Sequence, residues 1–222
     1  HTGKSADSNF NLILPGYYFR MNEDGSFSNG SGTGNETASE RYMMRKFMID
    51  SVVFWATEYN LSGFRFDLMA LHDVATMNLI VQKLHEIDEN ILIYGEPWNG
   101  GATPLDASLA ADKTNLSDMP NVGAFNDEIR DGIKGSVFAA NDKGFIQGNG
   151  KSEVINKVKY GVVGGVEHPD VTSKGLSNAM FWHTSPTKTI NYVSAHDNNT
   201  LYDKIILSTT SKQRDLRDDM QK

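Results

Sequence analysis

Three acidic residues stand where they could do chemistry: Asp67 in GFRFDLM, Glu96 in YGEPW and Asp197 in SAHDN. Each closes a short run of strand character, and carboxylates at the ends of parallel strands can face one substrate although distant in sequence. Carboxylates in unlike environments suit glycoside hydrolysis. One stays ionised to attack the anomeric carbon, while the other keeps a proton for the leaving oxygen. Arg65, two positions along an extended strand from Asp67, shares its face and would favour the charged form that a nucleophile needs. Glu96 lies between an apolar run and Pro97-Trp98, where partial desolvation would raise its pKa towards that of a usable acid. The plainer alternative is an ordinary Arg65–Asp67 ion pair and a loop carboxylate at Glu96. Three acidic strand ends in order, each with a polar or aromatic companion, weigh against it.

The elements that must position these residues follow from hydrophobic period. Met44, Phe47, Met48, Val52 and Trp55 recur every three or four residues, which predicts a helix over about 39–59 with its stripe in the core. Thr37 with Glu40, or Ser39, would cap its start. The alternating run 63–67 predicts a strand. Met77, Ile80, Val81, Leu84 and Ile87 predict a second helix over about 73–90. Ile91 to Tyr94 is wholly apolar, as in a parallel strand covered on both faces, so the three elements read as a βαβ unit. Short strands at about 122–125 and 191–195 and helices at about 128–134 and 151–160 continue the alternation. Such a pattern suits a doubly wound sheet or a (β/α)₈ barrel. The Gly30 to Gly34 cluster matches neither a G-x-G-x-x-G turn nor a phosphate-binding loop, which removes the main support for the nucleotide-binding open sheet. Arg130 and Asp131 read as solvated helix surface. Among Tyr17, Tyr18, Phe19, Trp98 and Trp182, candidates by type for stacking on sugar rings, packing is the better reading for most.

Composition narrows the field further. The chain has 222 residues, 39% of them hydrophobic, with 21 Lys+Arg against 28 Asp+Glu and no cysteine, which suits one mildly acidic globular unit. Without cysteine there is no disulfide framework, Cys-ligated zinc, iron–sulfur cluster or thiol nucleophile. A net charge of −7 with scattered Lys and Arg disfavours nucleic acid and anionic membrane surfaces as partners. No stretch approaches the ~20 apolar residues of a membrane span. A start at His1 rather than Met suggests a piece of a longer polypeptide, and the residues leave secreted and cytoplasmic residence equally open.

GFRFDLMALHD, YGEPW and VSAHDN resemble the second, third and fourth conserved segments of the alpha-amylase superfamily of glycoside hydrolases. The longer runs SNFNLILPGYYFR, GNETASERYMMRKFMIDSVVFWATEYNLSGFRFDLMALHD, AFNDEIRDGIKG and SAHDNNTLYDK are similar to type I pullulanases, and the likeness covers nearly the whole chain. The resemblance implies a partial (β/α)₈ barrel, from the end of strand 3 through the helix after strand 7, with residues 1–222 part of a single catalytic domain truncated at both ends. It implies Asp67 as nucleophile, Glu96 as general acid/base and Asp197 as the carboxylate that holds sugar hydroxyls and stabilises the transition state. Arg65 is then the nucleophile's companion, and His196, His1, Trp98, His72 and Asn198 are substrate-binding candidates, a helix-start hydrogen bond being an equal reading for His72. The activity implied is retaining hydrolysis of alpha-1,6 branch linkages in pullulan, starch or glycogen-type glucans. Other readings are an isoamylase-like debrancher, a branching enzyme, an alpha-1,4 amylase or a non-catalytic glucan-binding fragment. No cofactor is required. Calcium is common in that superfamily and Asp/Asn-rich loops could take it, although no EF-hand pattern is present. An arc of about four strands would expose unpaired edges, so the fragment is expected to be marginal or self-associating and to have little activity alone.

Overall fold

In the computed structural model the described residues are 7–209 and 218–220. The chain divides into two compact units, His1–Ala124 and Phe125–Lys222.

The first unit opens with α1 (Asn9–Ile13), whose N-terminus is capped by the Ser8 hydroxyl accepting from the Asn11 amide at 3.2 Å. The polar, Gly-rich segment that follows folds back on itself through antiparallel bridges Phe19–Thr37 and Met21–Phe27. Helix α2 (Tyr42–Tyr59) begins three residues later than the period predicts, at an N-cap Arg41 that makes no side-chain cap. The expected caps are used elsewhere: Ser39 bonds to Asp73, and Glu40 pairs with Arg20. The stripe is also not all core. Met44 is buried, whereas Phe47 and Trp55 are exposed. Period identifies a face able to bury itself, and among the described residues only part of that face is covered.

Strand β1 (Gly63–Phe66) leads to α3 (Val74–His85), which buries Met77, Ile80, Val81 and Leu84 but leaves Ile87 outside the helix and exposed. The helix stops short of residue 90 because Asp88 accepts from both the backbone and the side-chain amide of Asn90, each at 2.9 Å, a local turn that competes with helical bonding. Strand β2 (Leu92–Gly95) pairs parallel with β1 from Gly63–Leu92 to Phe66–Gly95. Gly95 is required at that register: a Cβ there would lie 2.8 Å from both the Phe66 carbonyl oxygen and the Met69 Cβ. Residues Gly123 and Ala124 of β3 (Gly123–Asn126) then pair parallel with Tyr94 and Gly95.

The second unit takes up β3 at Phe125 and Asn126. The Asn126 side chain caps α4 (Asp127–Lys134), accepting from the Glu128 and Ile129 amides at 3.1 and 3.4 Å. Helix α5 (Ser152–Val162) packs on α4 so closely that a Cβ on Gly161 would lie 2.3 Å from Ile129 Cδ1. Trp182, 2% exposed, joins Tyr160 in this core, which removes it from the sugar-stacking candidates. Strand β4 (Thr189–Asn191) is earlier and shorter than the predicted 191–195. Asn191 turns its side chain to Asn126 and to the Gly161 carbonyl, and beyond the strand Ser194 accepts from the Leu201 amide at 2.9 Å. Helix α6 (Leu201–Ser208) follows, capped by Thr200. Arg130 is not solvated surface: it is buried, bonded to Asp131 at 2.7 Å and to the Tyr192 hydroxyl at 2.8 Å, because α4 faces β4 there. No helix among the described residues is long and apolar enough to cross a membrane.

Candidate active site

The first unit gathers two of the three acidic candidates on one guanidinium. Arg65 contacts Asp67 Oδ1 through Nη1 and donates to Glu96 Oε1 through Nη2 at 3.0 Å. The parallel register makes this possible, because adjacent strands bring their C-terminal ends side by side. Glu96 is buried, with its backbone amide bonded to the Phe66 carbonyl at 3.1 Å, whereas the Asp67 side chain is 62% exposed. The two carboxylates therefore occupy unlike surroundings. Leu68, directly after Asp67, holds φ at +42°, a left-handed conformation disfavoured for a residue with a Cβ. In that conformation its amide donates to Glu96 Oε2 at 2.7 Å.

Asp67, Arg65 and His72 line a hollow of about 260 Å³, together with Glu36 and the side chains of Met44 and Met48. His72 stands with its ring edge-on to Phe66, centroids 6.0 Å apart, and its buried Nδ1 has no hydrogen-bond partner among the described residues. Burial, reinforced by the nearby Arg20 charge, pushes its pKa down to about 4, so the imidazole is neutral near pH 7. The helix-start bond at α3 is made by Asp73 rather than His72: Asp73 accepts from the Thr76 amide at 2.9 Å and the Ser39 hydroxyl at 2.7 Å, and pairs with Arg45 at 3.1 Å. Trp98 is half-buried, with Lys113 Nζ 5.9 Å from its ring centroid.

In the second unit Asp197 and His196 are exposed, with His196 Nε2 3.6 Å from Asp197 Oδ1. Asn198, also exposed, takes φ of +63°. The loop is tied from behind by Lys134, 1% exposed, which donates to the Asn199 carbonyl at 2.8 Å. Burial, with the Arg130 charge adding to it, lowers the Lys134 pKa. His1 lies outside the described residues. Among the described residues no group of three or more His, Asp or Glu is arranged to hold a metal ion. Sequence reasoning missed the buried Arg20 and Glu36 and the half-buried Thr103, whose types alone gave no signal, and Lys134, which looks like a surface lysine until α4 and α6 are folded.

A buried and an exposed carboxylate on one arginine, beside a hollow with a neutral imidazole, can combine nucleophilic attack with proton transfer to a bulky neutral substrate. No protein-family model matches the chain. It is 42% identical to the pullulanase of Bacillus subtilis (strain 168) over 92% of its length, and 34% identical to the chloroplastic pullulanase 1 of Arabidopsis thaliana over 91%. A crystal structure of a pullulanase from Paenibacillus barengoltzii, in complex with maltohexaose and alpha-cyclodextrin, matches 99% of the chain at 41% identity with a TM-score of 0.88. The chain spans 27% and 25% of the two sequence relatives and 32% of the crystallised one, between a quarter and a third of their lengths. With the parallel pairing of β1, β2 and β3, this likeness identifies the fold as an α/β fragment of a (β/α)₈ barrel.

Proposed function

As the chain belongs to the pullulanase family, we propose that it carries catalytic residues of a retaining glycoside hydrolase that cleaves alpha-1,6 branch linkages in alpha-glucans. Asp67 is the nucleophile and Glu96 the general acid/base. As the Asp67 carboxylate attacks the anomeric carbon, Glu96 gives its proton to the bridging oxygen, and the glucan departs as an alcohol. Water then attacks the glycosyl ester, Glu96 takes its proton, and the Asp67 carboxylate is released. Asp197 holds sugar hydroxyls and stabilises the charge that develops at the anomeric carbon. His196, Asn198, Trp98 and His72 are substrate contacts, as is His1. Arg65 keeps the nucleophile charged.

The observation that carries this reading is Arg65 holding Asp67 and Glu96 on two nitrogens of one guanidinium. A pair so compact suits the ~5–5.5 Å carboxyl separation of retaining enzymes better than the ~6.5–9.5 Å of inverting ones. The maltohexaose complex of the Paenibacillus relative supports an alpha-glucan as substrate. Pullulan hydrolysis followed by NMR of the newly freed anomeric centre tests the proposal. Retention is expected, with loss of at least about a thousandfold in kcat for Asp67→Asn and Glu96→Gln at preserved circular dichroism. Inversion, or wild-type turnover in either variant, would overturn it.

A further inference from the structure

The buried cluster around Arg20 has no part in the chemistry above, yet it joins the segments that carry it. Arg20 is 3% and Glu36 1% exposed. Arg20 Nη1 donates to Glu36 Oε1 at 2.5 Å and Thr103 Oγ1 at 3.3 Å, while Nη2 donates to Glu40 Oε2 at 2.7 Å and to the Leu71 carbonyl at 3.2 Å. Glu36 also accepts from the Thr103 hydroxyl at 2.5 Å and the Gly30 amide at 2.6 Å. Gly30 completes the junction: its carbonyl accepts from the Gly100 amide at 2.8 Å, and a Cβ on it would fall 2.1 Å from Glu36 Oε2. Gly100 is as tightly held, since a Cβ there would lie 2.8 Å from the Ser31 carbonyl oxygen.

Three separate segments are thereby fixed to one another. Residues 30–36 grip residues 100–103, which continue directly from Glu96-Pro97-Trp98. Through Arg20 they also grip Leu71, at the end of the turn that runs from Asp67 to His72. Removing one partner of such a buried charge pair is far more disruptive than the pair's net stability suggests, because the remaining charge is left without solvent or counterion. A buried polar network whose members are all bonded rigidifies its surroundings and specifies one arrangement.

We propose that Arg20 and Glu36 are positioning residues, a buried ionic brace that fixes the Trp98 loop relative to the turn carrying Asp67 and His72. The proposal rests on the pullulanase reading of those loops. Its test uses Thr103→Val, which removes one hydroxyl while leaving Glu36 bonded to Arg20 and Gly30. The full-length protein is followed by the indole N–H resonance of Trp98, assigned with Trp98→Phe, by pullulan kinetics and by urea denaturation. Thr103→Val should move the Trp98 resonance and lower kcat about tenfold with KM and the denaturation midpoint little changed, and Thr103→Ser should restore both. Glu36→Gln should move the same resonance and lower the midpoint as well. An unmoved Trp98 resonance in both variants, or a change confined to the midpoint, would overturn the brace. A full-length parent without pullulan turnover would count against the functional reading, and the resonance would still decide the brace.

Discussion

Asp67 directly follows β1 and Asp197 lies six residues beyond β4, each before a non-glycine residue in the left-handed region, but their surroundings differ. Beyond β1, Asp67 shares Arg65 with Glu96, and the Leu68 amide completes the cluster. Beyond β4, Asp197 is exposed with His196 at 3.6 Å, and its loop is held through the backbone, by Lys134 on the Asn199 carbonyl. The first end is set by ionic contacts among side chains; the second is set by a buried cation on main chain. An attacking carboxylate needs its charge and direction defined before substrate arrives, whereas a group that binds hydroxyls can be oriented by the sugar itself.

Three measurements would sharpen or break that contrast. The largest effect is expected for Arg65→Lys, because an ammonium cannot reproduce a planar fork between two carboxylates. A fall in pullulan kcat of about ten- to a hundredfold is expected, with circular dichroism unchanged. Wild-type turnover in that variant would mean that the shared arginine does not define the Asp67 carboxylate. Lys134→Met should be next. It leaves the Asn199 carbonyl without its donor and should cost about 1–3 kcal/mol in urea denaturation. Amide hydrogen exchange over residues 196–200 should rise while that of β1 and β2 stays as it was; equal exchange in both regions would erase the difference.

The smallest effect is a pH dependence. His72 has its pKa pushed down to about 4 in the folded chain, from an unfolded value near 6.5, by burial and Arg20, with Asp73 and Glu40 opposing. Between these values the unfolded chain binds more protons, so the contribution to stability is complete above about pH 6.5 and is lost as pH falls towards 4. Urea midpoints measured over that range should decline with acid, and His72→Asn should flatten the slope. An equally steep decline in the variant would place its origin in another group.

Much of the first unit was legible because each of its elements agrees with its own period. The β1–α3–β2 unit, its parallel order and the acidic strand ends are all visible in GFRFD, in the Met77 to Leu84 stripe and in ILIYGE. Helix ends were less legible. Ser39 and Glu40 read as caps, but a buried Asp73 and Arg20 compete for them more strongly than the helix amides do. Strand β4 was misplaced because YVSA has strand character, yet the strand ends at Asn191 and the residues after it form a loop in which Ser194 accepts from the Leu201 amide.

By itself the sequence determined which residues could do chemistry and which elements carry them, since residue type and hydrophobic period are local properties. Only the tertiary structure decided that one arginine serves two carboxylates, that Glu36 and Lys134 are buried, and that Phe47 and Trp55 face outwards. Those facts depend on the register of neighbouring strands and on what covers each face. Both are set by contacts between residues far apart in the chain.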